Sequence, residues 1–159
     1  MIKKAIALSL TAALLLSVAA PAALAMTRPE YKTAVEPICK KNSDANDRIL
    51  KGVRDEVKHD KLKPAGTKFL KASSALTTAY NELKAVEQPA EDAAKLTKWL
   101  GYVKTEASLF ASGGKALKAG NKKKAQQYVN QLNSNANKAN ATVLAFGFHY
   151  CKFEPSKYT

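Results

Sequence analysis

Residues 89–119, PAEDAAKLTKWLGYVKTEASLFASGGKALKA, decide the fold. Ala93, Leu96, Leu100, Val103, Ala107, Phe110, Gly114 and Leu117 recur there at alternating spacings of three and four. Side chains so spaced fall on one side of a coil of about 3.6 residues per turn, so the segment reads as an amphipathic helix. Pro89 suits the first turn, Glu91 and Asp92 favour the positive helix start, and Gly120 is placed to end the helix. Residues 121–147 repeat the pattern through Ala125, Val129, Leu132, Ala136, Ala139, Val143 and Phe146, with Asn121 able to cap the start and Gly147 the end. Residues 65–87 do the same through Ala65, Phe69, Ala72, Leu76, Ala79, Leu83 and Val86. Upstream the stripe is looser. Ile38, Ala45, Ile49 and Val53 mark a first helix, and Asn42 falls where an apolar residue is due, as a buried amide that sets helix register would.

Pro37 removes a backbone donor and should start or kink that first helix, while Thr27 and Glu30 have capping-box spacing for a short lead-in. Breaks at Lys61-Leu62-Lys63-Pro64, Gln88-Pro89 and Gly120-Asn121 are all short. Short links between long amphipathic helices require antiparallel neighbours, so the expected fold is all-α, an up-down-up-down four-helix bundle. At a rise of about 1.5 Å per residue the rod should be roughly 35–45 Å long. Such helices outnumber any strand signal: beyond residue 25, Ile and Val number nine against thirty Ala and Leu.

The chain opens with Lys3 and Lys4, an apolar run from Ala5 to Ala20, then Pro21 and Ala23-Leu24-Ala25. Charge, apolar run and A-x-A in that order read as a secretory signal, cleaved before Met26. The expected organisation is therefore a signal peptide over 1–25 and one bundle domain over 26–159, placed outside the cytoplasm and not spanning the membrane once cleaved. Two cysteines follow, Cys39 and Cys151. In an oxidising compartment an even count reads as an intramolecular disulfide, worth roughly 4–5 kcal/mol in the chain-entropy model. A redox-active thiol and an intermolecular bridge are the competing readings, and neither cysteine sits in a C-x-x-C motif. The topology agrees with the bridge, because Cys39 should lie about one turn into the first helix and Cys151 just past the fourth, at the same end.

For chemistry the sequence offers little. His59 and His149 should be held at opposite ends, Asp55-Glu56 and Glu91-Asp92 read as solvated charge, and Asn130, Asn133, Asn135, Asn137 and Asn140 read as a neutral solvated face of the last helix. Trp99, Tyr102, Tyr80 and Tyr128 border the stripes and read as seam packing. No catalytic set, metal-ligand pattern or C-x-x-C-H haem attachment is present, so the chain reads as non-enzymatic and without cofactor. Charge is the stronger signal. The whole chain holds 26 Lys+Arg against 13 Asp+Glu. Lys115, Lys118, Lys122, Lys123 and Lys124 crowd one hairpin, and Lys58, Lys61, Lys63 and Lys68 the other hairpin at that end. Three of these lysines open the last helix, where the dipole disfavours cations by about 0.3–1 kcal/mol each. A broken local rule is a pointer to function. The lysines and the helix-start amides suit phosphate or carboxylate groups, on an anionic cell-wall polymer or lipid headgroups. Only Arg28, Arg48 and Arg54 are arginines, which argues against specific nucleic-acid recognition.

With Ile38-Cys39 and Asn42, Ala65-Gly66 before Phe69, Leu96 with Trp99-Leu100, Gly114-Lys115-Ala116-Leu117 near Gly120, and Phe146-Gly147-Phe148 before Cys151, the chain resembles a loose group of exported bacterial proteins of unknown function. That resemblance implies a disulfide-closed helical bundle and brings no activity, cofactor or catalytic residue with it. The functional expectation is a secreted non-enzymatic bundle that binds anionic envelope components through Lys115, Lys118, Lys122, Lys123, Lys124, Lys61 and Lys63. The alternative is a haem or small-ligand carrier using the bundle interior.

Overall fold

Helix α1 spans Arg28–Leu50, the short α2 Val53–Lys58, α3 Leu62–Lys84, α4 Ala93–Lys118 and α5 Lys122–Thr142. These bounds come from a computed structural model, which describes residues 26–158; the leader expected at 1–25 lies outside them. Single 3-10 turns occur at Ala90–Asp92, Leu144–Phe146 and Pro155–Lys157, and no strand occurs among the described residues. The four long helices form a bundle in which α4 packs against both α3 and α5, and α1 against α3.

Helix α1 departs most from its sequence reading. Thr27 and Glu30 close a full capping box, so the helix starts there and runs through Pro37, which is exposed on its outer side. Cys39 consequently lies about three turns into α1 rather than one. The buried stripe is Tyr31, Val35, Cys39, Asn46 and Leu50, while Ile38, Ala45 and Ile49 are only half-buried. The true face is thus shifted by one residue from the apolar one, because α1 turns two amides, Asn42 and Asn46, toward the interior. Gly52, at φ 75°, breaks the helix after Leu50, and Val53 belongs to α2.

Helix α5 also ends earlier than its stripe, at Thr142. The 3-10 turn and Gly147 at φ 58° reverse the chain between Phe146 and Phe148, so that both rings are buried. Phe148 then lies 5.5 Å from Trp99 and 6.5 Å from Tyr31, centroid to centroid. Arg28 closes the same end with a two-pronged pair to Asp92, Nε to Oδ2 at 2.8 Å and Nη2 to Oδ1 at 2.9 Å. Asp92 is therefore not solvated charge but a buried anchor, and its Arg28 partner holds its carboxyl below the usual range.

Beyond Phe148, residues 149–158 lace α5 back to α1. The sulfurs of Cys39 and Cys151 stand 2.01 Å apart, a disulfide, with the Cα atoms 5.0 Å apart. The Glu36 carboxylate accepts from the amides of His149 and Tyr150. Asn140 on α5 exchanges two hydrogen bonds with the backbone of Phe153, each 2.9 Å. Finally, the Tyr158 hydroxyl donates to Asp47 on α1.

At the other end α3 and α4 touch backbone to backbone. A Cβ on Gly66 would lie 2.6 Å from the Gly114 carbonyl oxygen and 2.9 Å from the Lys118 nitrogen, and one on Gly114 would lie 2.8 Å from the Gly66 oxygen. Further along, Ser73 donates to the Ala107 carbonyl at 2.8 Å, so residue numbers fall along α4 as they rise along α3. Gly101 on α4, by contrast, faces open space. Gly66→Ala should therefore destabilise by about 1–3 kcal/mol, the usual range for overpacking. Gly101→Ala should stabilise by about 0.5–1 kcal/mol by restricting the unfolded chain. Urea unfolding of both variants checks this, and equal effects of the two substitutions would contradict the crossing.

Candidate functional site

The hairpins at the lysine-rich end owe their positions to that glycine crossing. Because the first turns of α3 touch the last turns of α4, Lys61, Lys63 and Lys118 share one shallow dish with Asp60, Leu62 and Leu117. Gly120, at φ 74°, turns the chain, and the Asn121 side chain caps α5 by accepting from the Lys124 amide at 2.9 Å. Lys115, Lys118, Lys122, Lys123 and Lys124 are all exposed, as are Lys58, Lys61 and Lys63. Two charges have partners. Lys122 reaches across to Asp60 at 2.8 Å and so ties the hairpins together, and Lys68 donates to Glu56 at 2.6 Å and to the Lys51 carbonyl at 2.8 Å. The Lys124 ammonium stands 5.4 Å from the centroid of the Tyr128 ring.

The other concavity lies at the disulfide end, in the half of the bundle that residues 149–158 lace shut. It has a volume of about 430 Å³, inside the ~300–1,000 Å³ of small-molecule sites. Leu76, Ala79 and Leu83 of α3 and Val103 and Phe110 of α4 give it apolar walls. Asn42 and Asn46 of α1 supply amides, and Cys39 and Cys151 lie against it. Exposed residues form the mouth: Asp47 from α1, and His149, Tyr150, Lys152, Glu154 and Lys157 from the C-terminal segment. The two histidines are indeed separated in role and place, His59 bonding the Asp55 carbonyl at 2.9 Å beyond α2 and His149 standing beside the bridge.

Glu106 lines the cavity and is 1% exposed. Its Oε2 accepts from the Asn135 side chain at 2.5 Å, and the same Asn135 nitrogen reaches the Tyr102 carbonyl at 3.0 Å. Among the described residues no lysine, arginine or histidine pairs with Glu106, and no donor takes its Oε1. Burial pushes its carboxyl up to about 7, with the Asn135 bond opposing that rise. Two further lining groups are short of partners: the Asn46 Oδ1 and Trp99 Nε1 atoms are buried with no hydrogen bond.

No family model matches the chain, and no curated protein or solved structure matches it.

The sequence reading missed Glu106 and misplaced Asn135, which is buried rather than on a solvated face. A signal for both was present. α4 sits centrally and buries a wider face than its first stripe: Trp99, Glu106 and Gly113 form a further buried row that alternates with Val103, Phe110 and Leu117 at spacings of four and three. On α5 the run Leu132, Asn135 and Ala139 continues the same spacing. Each polar residue interrupts a second apolar stripe at matching height, as a buried cross-helix pair requires. Trp99 and Tyr102, by contrast, keep the packing role the sequence suggests, with Trp99 fully enclosed.

The sign of the Glu106 effect on stability is fixed by linkage. Its carboxyl rises from an ordinary value of 4.5 to about 7 on folding, so the native chain binds the extra proton between those values. Stability contributed by the protonated form is complete below 4.5 and is lost as pH rises through 7. Glu106→Gln keeps an acceptor for Asn135 without a charge. At pH 8 it should be more stable than the parent by about 1–3 kcal/mol, shrinking toward zero near pH 4. Urea unfolding at the two pH values is the check, and a difference independent of pH would contradict a buried, strained carboxylate.

Proposed function

We propose that the protein is an exported, non-enzymatic bundle, its four long helices alternating up and down, that docks on phosphate-bearing anionic envelope material through its lysine-rich end. Export rests on the charge, apolar run and A-x-A order of residues 1–25. A disulfide fits an oxidising compartment, and no helix among the described residues is long and apolar enough to cross a membrane. The docking reading is carried by one observation: the α3–α4 crossing gathers Lys61, Lys63 and Lys118 around a single dish whose one acid, Asp60, is paired with Lys122, while Lys115, Lys123 and Lys124 are also exposed. Lysines act here as flexible, hydrated point charges, which suits an irregular polyanion better than a defined base or phosphate geometry.

Each lysine near an anionic surface contributes about 1 kcal/mol at physiological salt. The combined variant Lys61→Gln, Lys63→Gln and Lys118→Gln should therefore bind roughly a hundred-fold more weakly. Sedimentation with phosphatidylglycerol vesicles and retention on teichoic-type polymer measure this, against phosphatidylcholine vesicles as the neutral control. Binding should fall steeply with added salt. Equal retention of parent and variant, or binding indifferent to salt, would end the reading.

A further inference from the structure

The cavity at the disulfide end is not used by surface docking, and its lining has a definite chemical bias. Its deepest ionisable group, Glu106, has no cation beside it. The mouth acids are already engaged: Asp44 with Lys40 at 2.6 Å, Asp47 with the Tyr158 hydroxyl, and Glu154 with Lys157 at 2.7 Å. An acid that lacks a cation within an apolar wall is costly even with the Asn135 bond, and so is the Asn46 acceptor left without a partner in the same lining. Both defects are relieved by one kind of guest, a cation that donates several hydrogen bonds. The walls contributed by Leu76, Leu83, Val103 and Phe110 then ask for an apolar body. An ammonium has three donors and no acceptor, which matches a carboxylate oxygen and an amide oxygen in the same lining.

We propose that this cavity is a binding site for a small amphiphilic amine, its ammonium held by Glu106 and Asn46 and its hydrocarbon body lying along α3 and α4. Residues 149–158 form the lip past which the amine passes, and the Cys39–Cys151 bond holds that lip in register with α1. Other titratable groups facing the cavity are Asp44 and Asp47 from α1, and His149, Tyr150, Lys152, Glu154, Lys157 and Tyr158 from the C-terminal segment; α3 contributes apolar lining alone. Ionisation of Glu106 favours the guest, so amine binding strengthens as pH rises through 7 while the amine itself stays charged.

Trp99 is the single tryptophan of the chain and lines the cavity, so its emission reports occupancy directly. The probe is n-octylamine titrated into the oxidised protein, beside octanoate and octanol of the same chain length. The expected result is a saturable change in Trp99 emission with octylamine, absent with octanoate, and roughly ten-fold tighter at pH 8 than at pH 6. Glu106→Gln should weaken octylamine at least ten-fold and abolish the pH dependence, whereas His149→Gln should leave that dependence in place. Ala79→Leu, which narrows the apolar wall of the cavity, should weaken octylamine without touching the carboxyl, and a circular dichroism melt shows whether each variant is folded. The proposal is overturned by the absence of a saturable response, by octanoate matching octylamine, or by a folded Glu106→Gln that binds octylamine as the parent does. Loss of vesicle binding in the lysine variants leaves this outcome untouched, since the two sites share no residue.

Discussion

The bond between Cys39 and Cys151 is the constraint on which the disulfide end depends. Its value in the chain-entropy model, roughly 4–5 kcal/mol for a loop this long, is spent on the unfolded chain and says nothing of place. Its local consequence is more specific. It fixes residues 149–158 against α1, where Glu36 takes two of their amides and Asp47 takes the last tyrosine, while Asn140 holds Phe153 from the α5 side. A segment of ten residues without a long helix is thereby made part of the wall. Without it α1 and α5 would be joined at that end chiefly through the aromatic cluster of Tyr31, Trp99, Phe146 and Phe148.

The two ends of the bundle are built on opposite principles. At the lysine-rich end, two glycines remove all side-chain volume so that α3 and α4 meet backbone to backbone, and cations are pushed outward into water. At the disulfide end the helices are held apart, space remains between them, and polar groups are turned inward. Glu106 is the extreme case. A carboxyl raised to about 7 by burial reduces stability at neutral pH, and a leucine or glutamine would remove that cost. Local choices that oppose stability, without compensation inside the fold, tend to mark the surfaces a protein uses.

Much of the fold was legible in the sequence, and the exceptions have physical causes. Three of the long helices follow from apolar spacing, because α3, α4 and α5 pack against neighbours that are apolar along most of their length. Helix α1 differs from its apolar pattern in its start and its face. The capping box outweighs the missing donor of Pro37, and the face turned inward is defined by two asparagines that no apolar count selects. Of the sites, the lysine cluster can be read from where the lysines fall in the chain and from the order of the helices, since exposed charge needs no knowledge of side-chain packing to be seen. The cavity cannot. Its existence depends on how α1, α3, α4 and the C-terminal segment close around one space, and its chemistry depends on Glu106, which looks like any exposed helical glutamate until α4 is known to bury so wide a face. The paired interruption at Glu106 and Asn135 was present in the sequence, but it acquires meaning only once α4 and α5 are neighbours.

Residues 149–158 are a fixed wall of the bundle, held by the bridge and by side chains of α1 and α5, and on that wall the disulfide end depends. Amide hydrogen exchange on oxidised and reduced protein tests it most directly. The amides of His149, Tyr150 and Phe153 should be protected in the oxidised chain and should lose protection on reduction, while amides of the α3–α4 core stay protected in both. Free exchange of those three amides with the bridge intact would contradict the account.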